Sequence, residues 1–555
     1  MSEPLTKIYG IDLGTTYSCI AHVDEHGKPV IIPNSDNERI TPSVVFFEGD
    51  EVIVGKEAKA NSVLYSTQVV SFVKRAMGDP NFLFEYNGKV YKPEEISSFL
   101  LRKLVKDAEQ ITGEKITDVV ITCPAYFGIN EREATRIAGD IADLNVRQII
   151  NEPTAAAIAY GMAENTDKKV VLVYDLGGGT FDITMIDISP ESIEVICTGG
   201  DHNLGGKDWD DLVIQYLVNQ FQEESDITDD ILEDPDTCQS LQLAAETAKK
   251  SLTAREKARI PIVYGAEKVG VELTREKFDE ITGSLLERTI TLAHDMLGEA
   301  KKKGYETFDE ILLVGGSTRM PQVVERIKKE FSMEPKLFEP DESVAKGAAL
   351  YGWKLSINDE LIKRVAAETG KSVEEIKEAP QEEGIEEIME KAAQEVADEA
   401  GLTLAAVKSA GTKVKNVCSK SFGVVVLDQN ENEFVDNLIL KNTSVPVDIT
   451  RRYGTHEANQ ENVNVRVMEN EVSEETNPVE MSTEIGNAIL DIPLNLPAHS
   501  PIDVTFRLNE EGRLDVTAIE VTENRQIDTA IETQSVLQGE ELEEAKSKSQ
   551  GLAVV

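Results

Sequence analysis

Two short stretches of the chain carry the same arrangement of an acid, glycines and hydroxyls. Residues 12–17 read Asp-Leu-Gly-Thr-Thr-Tyr, and residues 175–180 read Asp-Leu-Gly-Gly-Gly-Thr. Each lies between two apolar stretches, which predicts the turn of a β-hairpin. Glycine lets backbone N–H groups approach a phosphate, threonine adds donors, and an Asp beside a polyphosphate can hold Mg²⁺ through water. One copy would be weak evidence, but the duplication predicts two related half-domains facing each other across a phosphate-binding cleft.

Composition limits the class of protein. The chain has 555 residues, which predicts two to four domains. Lys and Arg number 56 against 101 Asp and Glu, a net charge of −45 that argues against binding to nucleic acid or an anionic membrane. The five cysteines are scattered without a C-x-x-C pair, which indicates a reducing compartment and no zinc site or disulfide framework. We expect a cytoplasmic protein, since neither a signal peptide nor a membrane-spanning apolar run is found.

The patterning changes three times along the chain. Residues 1–355 alternate strand-like and helix-like segments, as in an α/β domain. Residues 356–412 are rich in Glu, Ala and Lys at helical spacing, which predicts an acidic helical insert or a solvated spacer. Residues 413–535 switch to period two with regular turns, which predicts a β-sandwich. Residues 536–555 begin like a helix and are predicted to form a short tail.

The insert contains a weak repeat. Gly370 is followed by Ser372, and Gly401 is followed by Thr403, in similar surroundings. In each copy the glycine can end one helix and the hydroxyl can cap the next. Ser372 and Glu375 also fit a capping box.

Four further segments are long enough to be specific. Residues 151–161 read Asn-Glu-Pro-Thr-Ala-Ala-Ala-Ile-Ala-Tyr-Gly, residues 314–321 read Val-Gly-Gly-Ser-Thr-Arg-Met-Pro, and 201–208 and 341–349 are the other two. Together with the two turns they resemble the actin-like ATPase superfamily and, within it, the DnaK-type heat-shock chaperone family. The resemblance covers about 1–355 closely and 414–535 more loosely, and it does not extend over the insert. It implies an α/β actin-like ATPase domain with duplicated half-domains around a nucleotide cleft, a small helical insert and a C-terminal β-sandwich.

The resemblance implies a cleft that binds ATP or ADP with Mg²⁺ and hydrolyses ATP. Asp12 and Asp175 would hold Mg²⁺ through its waters, and Lys74 would orient the attacking water. Lys74 alone would be read as a surface lysine, and Glu152 alone as an acid at a helix start. The implied catalytic residues are Lys74, Glu152, Asp175, Thr180 and Asp182. The implied nucleotide-binding residues are Asp12, Gly14, Thr15, Thr16, Tyr17, Gly177, Gly178, Gly179, Gly205, Gly206, Glu246, Lys249, Lys250, Thr253, Gly315, Gly316, Ser317, Arg319 and Asp341. Pro124 and Arg132 match the nucleotide-sensing switch of the family.

In the β-sandwich, the resemblance implies a pocket for extended apolar peptides. Its residues would be Val424, Val426, Leu427, Tyr453, His456, Val463 and Val465, with Leu427 and His456 bridging over the peptide. Each could equally be an ordinary sandwich residue, and His456 is expected in an exposed loop.

The chain departs from the family at two places. The leucine-rich linker that usually ends in Asp is replaced by Lys-Val-Lys-Asn at 413–416, and Gln148 stands where an Arg usually meets that Asp. Coupling between ATP and peptide is therefore either lost or rebuilt through the insert. The helical lid is essentially absent after about residue 540, so bound peptide should leave quickly.

The first hypothesis is an ATP-dependent chaperone that slowly hydrolyses ATP to regulate binding of exposed hydrophobic segments in protein folding and the stress response. Its partners would be unfolded polypeptides, a J-domain co-chaperone and a nucleotide exchange factor. The alternative is a nucleotide-gated scaffold for one dedicated partner, without general refolding activity. A third reading, another actin-like enzyme such as a sugar kinase, is disfavoured by the β-sandwich and by residues 151–161.

Overall fold

The computed structural model describes residues 5–164, 168–190, 192–378, 385–410, 412–522, 525–530 and 536–555. Its fold is mixed α/β, as the sequence predicts. Within these ranges, no helix is both long and apolar enough to cross a membrane.

The first lobe is built around a sheet in the order β11-β10-β1-β2-β3, with β4 pairing on β2. A smaller sheet, containing β5, β6 and β7, packs beside it over a common apolar core. The elements are β1 (Tyr9–Asp12), β2 (Tyr17–Val23), β3 (Pro29–Ile32), β4 (Thr41–Pro42), β5 (Val44–Glu48), β6 (Glu51–Val54), α1 (Lys56–Asn61), β7 (Val69–Ser71), β8 (Phe84–Tyr86), β9 (Lys89–Tyr91), α2 (Pro93–Thr112), β10 (Asp118–Cys123), α3 (Ile129–Ile141), β11 (Asn145–Asn151) and α4 (Glu152–Glu164).

The second lobe repeats the arrangement of a hairpin followed by parallel strands. Its sheet contains the run β18-β17-β12-β13-β14, in which β12 pairs antiparallel with β13 and parallel with β17. The elements are β12 (Lys169–Leu176), β13 (Phe181–Ile188), β14 (Ser192–Asp201), α5 (Gly206–Glu224), α6 (Pro235–Leu252), β15 (Lys257–Tyr264), β16 (Glu267–Thr274), α7 (Arg275–Lys302), β17 (Glu310–Val314), α8 (Pro321–Phe331), β18 (Lys336–Leu337) and α9 (Ser343–Thr369).

Helices α4 and α9 join the two lobes by close packing at small residues. A Cβ on Gly347 of α9 would lie 1.8 Å from the carbonyl oxygen of Ala155 in α4. A Cβ on Gly10 of β1 would lie 2.1 Å from the backbone nitrogen of Ala349. Both distances are impossible for a real side chain, so glycine is required for this helix crossing and for the approach of α9 to the sheet. The lobes are thereby held at the base of the cleft between them.

Helix α9 continues past residue 356 without a break and forms the first wall of the helical insert. The insert is completed by α10 (Val373–Glu378), α11 (Ile385–Ala400) and α12 (Leu404–Ser409). Buried apolar residues of these helices form one cluster, and Leu5 and Trp353 pack against it. Gly370 ends α9 with a φ of 70°, and Ser372 and Glu375 form the predicted capping box.

The C-terminal region has two antiparallel sheets that share one apolar core. Their orders are β25-β21-β20-β24-β26 and β23-β27-β28-β29. Along β27, buried residues alternate with partly exposed ones, as the period-two pattern predicts. The elements are β19 (Lys413–Val417), β20 (Ser421–Leu427), β21 (Glu433–Ile439), β22 (Ser444–Val445), β23 (Val447–Gly454), β24 (Asn462–Asn470), β25 (Thr476–Pro478), β26 (Ser482–Asp491), β27 (Pro501–Leu508), β28 (Leu514–Glu520) and β29 (Arg525–Ala530).

The segment at the linker position is a strand of the second lobe. In β19, Val414 pairs in parallel register with Ile193 of β14, and Asn416 pairs with Val445 of β22. The sheet of the second lobe therefore continues through β19 into the C-terminal region. The hydroxyl of Thr154 also donates to Oδ1 of Asn416 at 3.1 Å, so the departure from the family linker is accommodated by polar contacts.

The last twenty residues fold back onto the first lobe. They form α13 (Gly539–Gln550) and β30 (Ala553–Val554), and Val554 pairs in parallel register with Val52 of β6. The ammonium group of Lys106 donates to the carbonyl oxygen of Val554 at 2.7 Å. Five buried residues of this tail belong to the apolar core of the first lobe, namely Val536, Leu537, Ala545, Leu552 and Val554. The tail thus completes the first lobe.

Candidate nucleotide site

The two predicted turns meet in the cleft. Asp12 lies at the end of β1 and Asp175 near the end of β12, so each hairpin delivers one acid to the same place. A Cβ on Gly178 would lie 2.3 Å from Oγ1 of Thr16, and one on Gly179 would lie 2.4 Å from Cγ2 of Thr15. Only glycine allows this face-to-face packing of the turns.

A cavity of about 750 Å³ opens beside these turns, large enough for a nucleotide-sized ligand. The predicted residues that line it are Asp12, Gly14, Thr15, Thr16, Tyr17, Lys74, Glu152, Asp175, Gly177, Gly178, Thr180, Glu246, Lys249, Lys250, Thr253, Gly315, Gly316, Ser317, Arg319 and Asp341. The other four lie directly behind this wall. Gly179 and Gly205 pack on each other, Gly206 packs on Ser317, and Asp182 is buried.

Three acids, Asp12, Glu152 and Asp175, form the floor of the cavity with Lys74, and Asp182 is buried directly behind them. Lys74 donates to Glu152, and the two side chains are almost completely buried. Burial alone would lower the pKa of Lys74, but the charges of Glu152 and Asp12 raise it. Burial, with the charge of Glu152, raises the pKa values of Asp12 and Asp182 to about 7 and that of Asp175 well above its ordinary value. So many acids around a single lysine suit an added cation.

The residues present fit a hydrated Mg²⁺. Among the described residues, no group of three His, Cys, Asp or Glu side chains could act as a direct ligand set. Asp12 is near enough to Asp175 for its charge to raise the pKa of Asp175, and both acids line the cavity, which suits two carboxylates that hold an ion through its waters. Oδ2 of Asp182 is buried and has no hydrogen-bond partner within the described part of the chain. Such an atom can accept from a water placed beside a phosphate.

The opposite wall is a charged network that crosses the mouth of the cleft. Lys59 of the first lobe donates to Oε2 of Glu246 in the second lobe at 2.6 Å. Lys250 donates to Oε1 of Glu246 at 2.6 Å and to the hydroxyl of Tyr17 at 2.8 Å. Burial would raise the pKa of Glu246, but the two lysines hold it at about 2. This network therefore links the two lobes across the cleft.

Arg75 is a further cleft residue that the sequence interpretation missed. Its Nε donates to the carbonyl oxygen of Gly179 at 2.9 Å, and its Nη1 donates to Oδ1 of Asp208 at 3.1 Å. It therefore ties the first lobe to the glycine turn of the second. Its position next to Lys74 was the only signal in the sequence. Other lining residues that were not predicted are Glu38, Arg39, Ile40, Phe72, Asp210, Met320, Pro340 and Val344.

The predicted switch residues lie between the cleft and the C-terminal sheets. Arg132 donates to the carbonyl oxygen of Phe127 at 3.2 Å and to Oδ1 of Asn151. The carbonyl oxygen of Pro124 accepts from the N–H of Phe127 at 3.2 Å, which closes a tight turn. In that turn the N–H of Tyr126 donates to Oδ1 of Asp182 at 3.0 Å. The turn thus contacts the floor of the cavity on one side.

The other side of this turn contacts the C-terminal sheets. The hydroxyl of Ser419 donates to the carbonyl oxygen of Phe127 at 3.2 Å. The ammonium group of Lys420 lies 3.9 Å from the ring centroid of Tyr126. Glu469, which is partly buried, accepts from the N–H of Ile129 at 3.1 Å. One short segment therefore touches both a cleft acid and the C-terminal region.

The residues predicted to bind peptide are placed at one end of the shared core. Val424 and Val465 are buried in that core, and Val426, Tyr453 and Val463 are partly buried against it. The hydroxyl of Tyr453 donates to Oδ2 of Asp436 at 2.7 Å. Leu427 and His456 are exposed, and Nε2 of His456 lies 3.8 Å from Oε1 of Glu431.

A family model described as Hsp70 protein matches the chain over residues 8–82, 78–365 and 371–554. The match therefore extends further than the sequence resemblance, since its third segment begins within the helical insert.

Proposed function

Because the chain belongs to the Hsp70 family, we propose that it is an ATP-dependent chaperone of the DnaK type. It binds ATP and Mg²⁺ in the cleft and hydrolyses ATP slowly to regulate its hold on exposed hydrophobic polypeptide segments. The observation that carries this proposal is the buried pair of Lys74 and Glu152 on an acidic floor, beneath two glycine turns.

In this proposal the floor positions a water for attack on the terminal phosphate. Hydrolysis of this kind depends on positioning and charge neutralisation more than on covalent catalysis. Lys74 would donate to the phosphate, while Glu152, Thr180 and Asp182 would orient the water. Mg²⁺, held by Asp12 and Asp175 through its waters, would supply the remaining positive charge. The glycine turns would donate backbone N–H groups to the phosphate oxygens.

The base and ribose would lie against the second lobe. Two groups of residues would face each other across this part of the nucleotide cavity. One group is Glu246, Lys249, Lys250 and Thr253, and the other is Gly315, Arg319 and Asp341. Lys249 is already bonded to Oδ2 of Asp210 at 2.7 Å, so it would act by holding the wall in place. Lys250 is about half exposed and is bonded to Glu246 and Tyr17, so it would act together with that network at the mouth of the cleft.

We also propose that peptide binding is coupled to the cleft through the turn at 124–129. Its contacts with Asp182 and with Ser419 support this route. The peptide site would be the pocket at Val424, Val463 and Val465, with Leu427 and His456 at its rim. Its partners would be unfolded chains, a J-domain co-chaperone and a nucleotide exchange factor.

The alternative is a nucleotide-gated scaffold for a dedicated partner. The helical insert favours this alternative, because it adds a structured surface outside the two predicted sites. A pull-down that returns one stoichiometric partner would support it, and recovery of many unrelated unfolded chains would oppose it.

The decisive experiment is single-turnover ATP hydrolysis by the full chain, with and without an excess of a short apolar peptide. Stimulation by the peptide supports the chaperone with coupled domains. Hydrolysis without stimulation supports the scaffold. A Lys74→Ala variant that hydrolyses ATP at the wild-type rate would refute the assignment of the cleft floor.

A further inference from the structure

A second large cavity lies away from the nucleotide cleft, between the helical insert and the first lobe. Its volume is about 860 Å³, and we name it the insert cavity. One wall is a face of α9 on which Trp353, Ser356, Glu360 and Arg364 follow each other at helical spacing. The end of α11 continues this wall. The opposite wall is the chain at residues 5–8 and the end of the hairpin at 22–26. The insert thus creates the cavity.

The inner part of the insert cavity is apolar, and two of its lining residues, His22 and Ser356, carry a buried polar atom that lacks a hydrogen-bond partner among the residues that the structure describes. Trp353 and Leu402 are partly buried there, beside the cluster that holds the insert together. Ser356 is only 5% exposed, and its hydroxyl has no hydrogen-bond partner in the described ranges. Helical serines commonly bond to the carbonyl one turn earlier. An apolar pocket with a free hydroxyl can seat an apolar side chain and its adjoining backbone.

The rim of the insert cavity is negatively charged. Four described lining residues are acids, Asp24, Glu25, Glu360 and Glu399, and only two are Lys or Arg. Lys7 is paired with an acid outside the cavity, whereas Arg364 is shared between two of the four rim acids, so negative charge remains in excess. Lys7 donates to Glu114, and Arg364 donates to Glu360 at 2.8 Å and to Glu399 at 2.7 Å. Burial, together with the charge of Lys7, lowers the pKa of His22, so this ring adds no charge at neutral pH. The field at the rim therefore attracts a cation.

We infer that the insert cavity is a docking site for a segment of a partner protein that presents an apolar side chain beside Lys or Arg. The apolar side chain enters against Trp353 and Leu402, and the cation meets the acidic rim. The site is separate from the nucleotide cavity and from the C-terminal sheets, because the three share no lining residues. A partner could therefore be held while ATP and peptide are exchanged.

The chain contains its own reporter for this site. It has two tryptophans, of which Trp209 is fully buried in the second lobe and Trp353 lines the insert cavity. In a Trp209→Phe variant of the full chain, emission reports Trp353 alone. The probe is a 14-residue amphipathic peptide of Leu and Lys, and its counterpart replaces every Lys with Glu. If Trp209→Phe folds poorly, acrylamide quenching of the wild type serves instead, because Trp209 is shielded.

Two substitutions on α11 provide a matched pair. Ala400 is exposed and lines the insert cavity, whereas Gln394 is exposed on the same helix but does not line it. Ala400→Arg and Gln394→Arg add the same charge to the chain. Only the first fills the insert cavity and opposes a cation there.

We expect the Leu/Lys peptide to shift Trp353 emission saturably, with at least tenfold weaker binding in Ala400→Arg and unchanged binding in Gln394→Arg. The Leu/Glu peptide should leave the emission unchanged. Equal binding of the two peptides, or wild-type binding by Ala400→Arg, would overturn the inference. A peptide held only by the C-terminal sheets leaves Trp353 unchanged and also overturns it. Peptide stimulation of ATP hydrolysis tests the proposed function separately.

Discussion

The ammonium group of Lys74 donates to the carboxylate of Glu152, and both side chains are almost completely buried. Lys74 lies just after β7 in the first lobe, and Glu152 is the first residue of α4. The pair stands among Asp12, Asp175 and Asp182, and the charge of Lys74 opposes the raised pKa of each of these three acids. Neutralising Lys74 leaves those acids uncompensated.

Replacement of Lys74 should abolish most of the ATP hydrolysis without abolishing the binding of ATP. We expect Lys74→Met, which keeps the length of the side chain, to slow single-turnover ATP hydrolysis by about 100-fold or more, as when one preorganised donor is lost. Affinity for a fluorescent ATP analogue should fall much less, since the glycine turns and the upper wall are intact. Lys250→Met, at the mouth of the cleft, should change the affinity for the ATP analogue and leave single-turnover ATP hydrolysis near the wild-type rate. If Lys74→Met weakened ATP binding but not hydrolysis, while Lys250→Met slowed hydrolysis, the assignment of Lys74 to the chemical step would be wrong.

Arg75 should control how quickly the lobes release a nucleotide. Its guanidinium donates one hydrogen bond to Gly179 and two to Asp208 across the cleft, and its loss removes all three charge-assisted hydrogen bonds. We expect Arg75→Ala to speed ADP dissociation by about tenfold, which corresponds to roughly 1.4 kcal/mol. Stopped-flow release of a fluorescent ADP measures this. Arg75→Lys should restore little of the slow ADP release, because the ammonium group of a lysine cannot bond to Gly179 and to both oxygens of Asp208 at once. Unchanged release by Arg75→Ala would show that the tie does not hold the cleft closed.

Glu469 should make the contact between the first lobe and the C-terminal sheets sensitive to pH. Burial, with the nearby charge of Glu131, raises its pKa to about 7. Lys420, the N–H of Ile129 and Arg132 also face it and act in the opposite direction. A raised carboxyl pKa means that the folded state keeps a proton that the unfolded state loses. Its stabilising effect is present below about pH 4.5 and is lost as pH rises to about 7.

Glu469→Gln should remove this dependence, since the amide can still accept from the N–H of Ile129. We expect the variant to match the wild type at pH 5 and to exceed it at pH 8 by about 2 kcal/mol in unfolding free energy. Urea unfolding at several pH values provides the measurement. Glu471→Gln is the comparison, because the pKa of Glu471 is lowered and its carboxylate bonds to Lys420 at 2.7 Å. That variant should not gain stability at high pH.

The tail should contribute directly to the stability of the first lobe. Val554 is buried against β6, whereas Ala553, the neighbouring residue of β30, is exposed. Val554→Asp should therefore destabilise the protein by about 3 kcal/mol, because a charge would enter an apolar core. Ala553→Asp adds the same charge on the outer face and should cost well under 1 kcal/mol. Calorimetry measures the difference, and hydrogen exchange at β6 should locate it. Equal effects of the two substitutions would argue against docking of the tail.

Local patterns in the sequence predicted local structure well. Gly401 and Thr403 were predicted as a helix end and a cap, and Thr403 accepts from the N–H of Ala406 at 3.1 Å. The alternating stretch at 502–508 lies within β27, and the predicted tail helix begins at Gly539. These predictions succeed because caps, turns and strand alternation depend on neighbouring residues. Most of the predicted cleft residues at 12–17 and 175–180 line one cavity for a related reason, since the duplicated turns place them at equivalent strand ends.

Contacts between distant parts of the chain could not be predicted in this way. Nothing in the local pattern of Ala553 and Val554 points to β6, which lies some five hundred residues earlier. The pairing of β19 with β14 and the insert cavity are of the same kind. Each depends on which surfaces are left uncovered once the lobes have formed. Arg75 was missed because its partners, Gly179 and Asp208, lie in the other lobe.

The pairing of β19 with the second lobe and of β30 with the first fastens the C-terminal sheets at both ends. A domain held by one flexible joint can swing away when that joint opens. Here, one anchor can break while the other keeps the sheets within a few nanometres, so the broken anchor re-forms at a high effective concentration. Rotation of one lobe against the other must also change the distance that the roughly 135 residues between β19 and β30 have to span.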